Sequence, residues 1–278
     1  MVKIGFSLQP QYTCPNSQVI ELLREAGFSA VSPVYSPDLD LNTLANLATK
    51  NNMVIQSLHA PHKNIPYLWQ PQEEISAETE KNIIKCINAC AEYQIPIMVI
   101  HGWQGLIYTF PTAPLNFSAF DRIVEHAQEK NVCVAFENLE GEEYLEALLT
   151  RYKNISQVGF CFDTGHDHCY PHKLDFLKSF GERLIMTHIN DNLGLRDKNG
   201  VPTGEDDLHF LPYDGNICWE NTINRLKAAP KQDILNFEIK KRSSSNAEED
   251  LIYQKLTDQE FFKTAGERAK KIAKLYEE

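Results

Sequence analysis

The stretch that decides the fold is residues 158–191, VGFCFDTGHDHCYPHKLDFLKSFGERLIMTHIND. Two short apolar runs, Val158–Asp163 and Leu184–Asp191, flank a segment with helical spacing of its apolar residues, His172–Phe180. Strands this apolar, separated by helices, are typical of a parallel sheet that is covered on its outer face. The stretch therefore predicts a strand–helix–strand unit, with acids and histidines where each strand ends.

The same unit recurs along the whole chain. The other predicted strands are Lys3–Gln9, Ala30–Ser36, Val54–Ala60, Ile97–Trp103, Val132–Leu139 and Ile234–Lys240. The other predicted helices are Ser17–Ala26, Leu41–Asn51, Ala77–Gln94, Asn116–Lys130, Glu142–Arg151, Trp219–Ala228 and Asp258–Tyr276. Eight such units in about 250 residues predict a closed (β/α)8 barrel of the TIM type.

An open, doubly wound sheet is the alternative fold. Such sheets often carry a Gly-rich phosphate loop after their first strand, whereas residues 9–15 here read QPQYTCP, without glycine. Residues 192–216 and 241–250 have loop composition and follow strand ends, where barrels place their active sites. We expect one domain that spans residues 1–278.

Composition limits the classes of function. The 278 residues carry a net charge of −11 and are 42% hydrophobic, as in ordinary globular proteins. No stretch approaches the roughly 20 apolar residues of a membrane span, and seven scattered cysteines suit a reducing compartment. We expect a cytoplasmic protein that binds neither membrane nor nucleic acid, since phosphate backbones attract basic proteins.

Ionisable side chains stand at the ends of six consecutive predicted strands or in the loops that follow them. They are His59, His101, Glu137, Asp163, His166, His188, Asp191, Asp207, His209 and Glu238. In a closed barrel these strand ends converge, and carboxylates and imidazoles brought together would be destabilised without a cation. The pattern predicts a site for a divalent metal at the C-terminal face of the strands, with Zn²⁺, Mn²⁺, Co²⁺ or Mg²⁺ as candidates.

Structural explanations compete at several positions. A single His59 or His101 would more often be a hydrogen-bonded core histidine, and Asp191 is equally explained as a turn cap. Trp103 suits barrel packing as well as a pocket wall that contacts substrate. Cys86 and Cys90, four residues apart on one predicted helix, are typical of a buried helix face.

The ordered motifs resemble a known superfamily. HisAlaPro (59–61), ValIleHis (99–101), PheGluAsn (136–138), PheAspThrGlyHis (162–166), HisIleAsnAspAsn (188–192), AspLeuHisPheLeuPro (207–212) and PheGlu (237–238) follow the order seen in xylose isomerase-like barrels. That superfamily includes sugar isomerases, sugar epimerases and endonuclease IV. The resemblance extends from the first predicted strand to the last helix.

The epimerase branch implies roles for four of these residues. One divalent ion would be held by Glu137, Asp163, His188 and Glu238. Glu137 and Glu238 would also be the catalytic acid and base that move the substrate proton, while the metal stabilises an enediolate. Trp103, Arg196 and Lys240 are further candidates for contact with substrate.

The endonuclease IV branch implies two more metal ions. His59 and His101, with Glu137 as a bridge, would hold one, and His166, Asp207 and His209 would hold the other. In sugar isomerases the added positions contact substrate or water instead. Two departures bear on this choice: Tyr213 replaces a glycine in the loop after His209, and Arg196 lies farther from His188 than the epimerases place their arginine.

Three hypotheses follow. The favoured one is a metal-dependent isomerase or epimerase of a small sugar, ketose, inosose or sugar phosphate. It would hold one to three metal ions. A homodimer is the expected state, because barrels of this type often dimerise. The others are an apurinic-site DNA endonuclease with three zinc ions and a metal-binding barrel without catalysis. Only Lys240, Lys241 and Arg242 form a basic cluster near the predicted mouth, which is a short footprint for duplex DNA.

Overall fold

The computed structural model describes residues 2–9, 12, 14–70, 74–242 and 248–278. The strands within these residues are β1 (Lys3–Leu8), β2 (Ala30–Pro33), β3 (Val54–Ile55), β4 (Ser57–His59), β5 (Ile97–His101), β6 (Cys133–Glu137), β7 (Val158–Asp163), β8 (Leu184–His188) and β9 (Ile234–Phe237). The α-helices are α1 (Asn16–Ala26), α2 (Leu41–Lys50), α3 (Glu74–Glu92), α4 (Ser118–Glu129), α5 (Glu142–Arg151), α6 (Thr164–Cys169), α7 (Phe176–Phe180), α8 (Trp219–Leu226) and α9 (Asp258–Glu277). Short 3₁₀ helices cover Ile65–Trp69, Gly181–Arg183 and Glu248–Tyr253.

The strands close into a barrel. They form two parallel sheets, ordered β3-β2-β1-β9 and β4-β5-β6-β7-β8. Single parallel bridges join the sheets at both seams, Val34 with His59 and Ile189 with Phe237. At the first seam the Tyr35 N–H also donates to the His59 carbonyl at 2.8 Å. β3 and β4 are consecutive pieces of one strand position of the barrel, and we call each such position a stave. The nine strands therefore fill eight staves, and the predicted (β/α)8 fold is confirmed.

Besides shifts of up to three residues at the ends of other elements, the predicted elements differ from the structure at three places. The predicted strand Val54–Ala60 is interrupted at Gln56, where the chain leaves the β2 edge and joins β5. The predicted helix His172–Phe180 begins only at Phe176, after Asp175 caps its first turn. Helix α6 was not predicted; it starts because the Asp163 side chain accepts the His166 N–H at 2.7 Å. Of the predicted loop 241–250, residues 243–247 lie outside the described residues.

Alternation along the strands places the polar residues inside the barrel. Outward side chains such as Phe136 and Phe160 pack with the helices in the main core. A small second cluster of Val99, Ala135, Cys161 and Met186 is separate from it and occupies the barrel interior. Inward positions recur every second residue along a strand. The next inward residue beyond this cluster is therefore His101 on β5, Glu137 on β6 and Asp163 on β7.

Among the described helices, none combines the length and the apolar character that a membrane crossing requires. Residues 192–216 are loop, apart from the single antiparallel bridge between Asp191 and Phe210.

Candidate metal centre

A cavity of about 390 Å³ opens at the carboxyl ends of the strands. Seven of the nine residues predicted as metal ligands line it: His59, His101, Glu137, His166, Asp207, His209 and Glu238. The other two, Asp163 and His188, are at most 1% exposed and belong to the same cluster. The fold therefore brings all nine predicted residues together.

Four of them form a compact tetrad: Glu137, Asp163, His188 and Glu238. One ligand atom from each lies within 4.8 Å of the others, and all four side chains are buried. His188 occupies the middle, with Nδ1 2.8 Å from Glu137 Oε1 and 2.7 Å from Glu238 Oε2. Three carboxylates and one imidazole at this spacing fit a single divalent ion.

Charge crowding supports the same interpretation. Burial, together with the neighbouring Glu137 and Glu238, raises the pKa of Asp163 to about 6, although His166 opposes the shift. Burial disfavours a charged His188, but Cys161, Glu137 and Glu238 raise its pKa well above the ordinary value. In the protein alone, protons therefore supply the positive charge that these carboxylates need, and a divalent ion would replace them.

Two asparagines hold the tetrad in place, and the sequence reasoning missed both. Asn190 Nδ2 donates to Asp163 Oδ2 at 2.8 Å, and Asn138 Oδ1 accepts the Asp163 N–H at 2.7 Å. Gln9 Nε2 donates to Glu238 Oε1 at 3.1 Å. The available signal was a polar residue next to the ligands in the motifs PheGluAsn and HisIleAsnAspAsn, because neighbours of ligands commonly orient them.

Two histidines form a second group with Glu137. His59 Nε2 lies 3.2 Å and His101 Nε2 3.3 Å from Glu137 Oε2. The His59 ring is oriented by its Nδ1, 2.8 Å from the Ala60 carbonyl. His62 lines the cavity beside them and stacks on His101. Desolvation at the cavity, together with the neighbouring His101, His59 and Lys240, lowers the pKa of His62 to about 4.

A third group consists of His166, Asp207 and His209. Asp207 Oδ2 lies 2.9 Å from His209 Nε2 and 3.5 Å from His166 Nε2. Backbone carbonyls orient both rings: His209 Nδ1 is 3.0 Å from the Glu238 oxygen, and His166 Nδ1 is 2.9 Å from the Asn138 oxygen. Burial would raise the pKa of Asp207, but the two histidines hold it well below its usual value.

Glu137 connects the three groups. Its Oε2 contacts His59 and His101, and its Oε1 contacts His188 and, at 3.5 Å, His166. Burial would raise the pKa of Glu137, but His188, His101 and His59 lower it far below the ordinary value. With both oxygens engaged, Glu137 is placed to bridge neighbouring cations.

We expect metal uptake to release protons at pH 7. His188 and His166 have pKa values raised well above the usual histidine value, so both rings are protonated before an ion binds. An ion at the tetrad must displace the His188 proton, and below pH 6 it must also displace a proton from Asp163. Affinity should therefore fall as the pH is lowered. Titrating the chelator-treated protein with Zn²⁺ in weak buffer containing a pH indicator measures the release; uptake without protons would contradict it.

The three substrate-contact candidates occupy different places. Lys240 lines the cavity, whereas Trp103 and Arg196 do not. Trp103 stacks flat on Tyr144, with ring centroids 4.3 Å apart, and its Nε1 donates to the Gly105 carbonyl. Arg196 Nε lies 3.1 Å from Asp206 Oδ1 within its own loop.

Asp191 anchors the loop that supplies the third group. Its Oδ2 accepts the Tyr213 N–H at 2.9 Å and the Trp219 Nε1–H at 3.1 Å, and its Oδ1 accepts the Ile217 N–H at 3.1 Å. The backbones of Asp191 and Phe210 exchange hydrogen bonds, which fixes the residue after His209. Tyr213 takes a backbone φ of 73°, so it adopts the left-handed conformation that a glycine would favour.

Replacing Asp191 by Asn should lower the free energy of unfolding by about 2 to 3 kcal/mol. The amide lacks the negative charge of the carboxylate. Its NH₂ group would also face N–H donors that a carboxylate oxygen now accepts. Urea unfolding with a chelator present measures the loss without a metal contribution. The matched control is Asp197→Asn in the same loop, whose side chain is exposed; it should change stability by less than about 0.5 kcal/mol. Equal stability of the two variants would contradict the anchoring role.

Comparison with known proteins identifies this architecture. The profile of the family described as "Xylose isomerase-like TIM barrel" matches residues 20–263. A curated protein of Sinorhizobium fredii (strain NBRC 101917 / NGR234), "Uncharacterized protein y4fM", is 37% identical over 128 residues, which are 44% of this chain. The match spans 38% of the length of that curated relative.

Solved structures share the fold. The IOLI protein with a binding zinc atom superposes with a TM-score of 0.75 at 17% identity, over 99% of both chains. A D-tagatose 3-epimerase-like protein gives 0.68 at 21% identity, over 99% of this chain and 98% of its own. D-psicose 3-epimerase from Clostridium cellulolyticum H10 gives 0.65 at 12% identity, over 99% and 98%. These likenesses establish the barrel architecture.

Proposed function

Because this chain belongs to the xylose isomerase-like TIM barrel family, we propose that it is a divalent-metal-dependent isomerase or epimerase of a small sugar, ketose, inosose or sugar phosphate. The observation that carries the proposal is the buried tetrad of Glu137, Asp163, His188 and Glu238 beneath a cavity of small-molecule size. The names of the solved sugar epimerases with this fold support the choice of substrate class.

The donor set fits a divalent ion because three buried carboxylates lie together with one imidazole and no lysine or arginine in the tetrad. A divalent ion held there supplies a Lewis acid for a carbonyl or hydroxyl oxygen of the sugar. Asn138 and Asn190 keep Asp163 in position, and Gln9 does the same for Glu238. The apolar cluster of Val99, Ala135, Cys161 and Met186 fills the barrel interior next to the tetrad and limits the access of water from that side.

Glu137 and Glu238 are the proposed acid and base. Both line the cavity, and both contact His188 Nδ1. Glu238 is the better candidate for the base, because His188 is its single histidine partner among the described residues, whereas four histidines contact Glu137. Burial would raise the pKa of Glu238, but His188 lowers it strongly, so the carboxylate is ionised.

The test is exchange of substrate hydrogen with deuterium oxide. Incubating the metal-loaded protein with a panel of ketoses, inososes and ketose phosphates should incorporate deuterium at a carbon next to the carbonyl of at least one compound, as NMR detects. Failure across the panel, with metal bound, would count against the proposal.

A second candidate function is an apurinic-site DNA endonuclease with a trinuclear zinc site. The observation that favours it is the presence of two further groups, His59–His101–Glu137 and His166–Asp207–His209, each with ligand atoms within 4.8 Å of one another. Against it, Lys240 is the single lysine or arginine among the described residues that line the cavity. DNA enzymes of this kind need a broader basic surface.

A further inference from the structure

The two walls of the cavity differ in charge. One wall comes from the neighbouring strands β9, β1, β2 and β4 and carries Lys240, Gln9, Val34 and His62, with Glu238 of the tetrad two residues before Lys240. The opposite wall follows β6, β7 and β8 and carries Leu139, Glu140, Tyr170, Gly204 and Asp207. Above the tetrad, Lys240 therefore lies on one wall, and the acids Glu140 and Asp207 lie on the other.

Lys240 is held in position at this wall. Its backbone N–H donates to the His209 carbonyl at 3.0 Å, and the His209 ring in turn contacts the Glu238 carbonyl. Within residues 2–9, 12, 14–70, 74–242 and 248–278, neither the Lys240 ammonium nor the His62 ring nitrogens make a hydrogen bond or ion pair. Lys240 is half-buried as a residue and lines the cavity, so its ammonium is available to an anionic ligand that enters there.

We propose that the wall formed by Lys240, His62 and Gln9 binds an anionic group of the substrate, so that the substrate is a sugar phosphate or a sugar acid and not a neutral sugar. This inference rests on the proposed function and narrows its substrate class. Lys240 sets the orientation of such a molecule. An anionic group would be repelled by Glu140, Asp207 and Glu238, and Lys240 is the single lysine or arginine among the described lining residues that attracts it. The uncharged oxygens of the sugar are then directed toward the tetrad.

Isothermal titration calorimetry of the metal-loaded protein tests the proposal. Inorganic phosphate, D-ribulose 5-phosphate, D-ribulose and D-gluconate are the four probes. We expect D-ribulose 5-phosphate to bind at least tenfold more tightly than D-ribulose, or D-gluconate to do so if the anionic group is a carboxylate. Inorganic phosphate should compete with whichever probe binds.

Variants assign the binding to Lys240. Lys240→Gln should weaken binding of the anionic probe at least tenfold, while Lys240→Arg, which keeps the charge, should retain most of it. The control is Lys63→Gln, an exposed lysine next to His62 that does not line the cavity; it should leave the affinity unchanged. Equal binding by Lys240→Gln and the unaltered chain would place the anion elsewhere, for example on the metal, and would overturn the proposal.

The outcome is separable from that of the proposed function. Lys240-dependent binding of the anion, in a chain that exchanges no sugar hydrogen with deuterium oxide, would keep the anion site and reject the isomerase. Hydrogen exchange on neutral ketoses alone would keep the isomerase and reject the anion site. Displacement of phosphate by an abasic DNA duplex, but not by D-ribulose 5-phosphate, would also overturn the sugar-phosphate assignment.

Discussion

Replacing Glu238 by Gln should lower the rate of substrate hydrogen exchange about 10³-fold or more, the range expected when a general base is removed. The amide has nearly the size of the carboxylate and keeps an oxygen for the Gln9 hydrogen bond, but it cannot take up a proton. Glu238 is 7% exposed and lines the cavity, so the change occurs where a sugar carbon would lie. NMR of the sugar in deuterium oxide measures the rate.

Two controls isolate the loss of the base from other effects. Glu205→Gln, an exposed glutamate in the loop after β8, should exchange at the unaltered rate. Metal analysis and circular dichroism of Glu238→Gln, measured with excess metal, should show an occupied site and an intact barrel. If Glu238→Gln exchanged hydrogen as fast as the unaltered chain, Glu238 would have no acid–base role.

The barrel could be predicted from the sequence because its strands are short apolar runs separated by amphipathic helices. Val158–Asp163 and Glu142–Arg151 were predicted to the exact residue. The interruption at Gln56 could not be predicted, because it arises when one stave pairs with different partners on its two halves. Helix α6 was missed for a different reason: six residues are too few for a periodic pattern, and its start depends on a side-chain cap from Asp163.

The composition of the site was also predictable, but its connections were only partly so. Strand ends converge in any closed barrel, so acids and histidines at successive strand ends had to meet. The resemblance grouped Glu137 with His59, His101 and His188, but its contact with His166 was not predicted, because His166 was assigned to a separate group with Asp207 and His209. The roles of Asn138 and Asn190 likewise depend on distances between side chains from neighbouring staves.

Asp191 shows how tertiary contacts resolve an ambiguity of the sequence. As an acid after a strand it was equally consistent with a ligand and with a turn cap. In the structure both oxygens accept hydrogen bonds from Tyr213, Ile217 and Trp219, residues that lie more than 20 positions away in the chain. Its role is to anchor a long loop, a contact pattern that local sequence cannot reveal.

The second large effect should come from removing one ligand of the tetrad. Asp163→Asn is expected to weaken binding of the tetrad's ion at least 100-fold, because even the groups that merely orient a ligand change affinity by about 10- to 100-fold. Hydrogen exchange on the sugar should disappear with the ion. Mass-spectrometric metal analysis after dialysis should show one ion per chain in the unaltered protein and less than a tenth of that in the variant.

The matched variant is His101→Gln, which removes a histidine of the His59–His101–Glu137 group and leaves the tetrad complete. If one ion serves an isomerase, His101→Gln should retain that ion, because His101 contacts only the Glu137 oxygen that faces away from His188. Three zinc ions in the unaltered chain, falling to two in His101→Gln, would instead favour the endonuclease. Unchanged metal content in Asp163→Asn would reject the tetrad as the site of the ion, because Asp163 is one of its four proposed ligands.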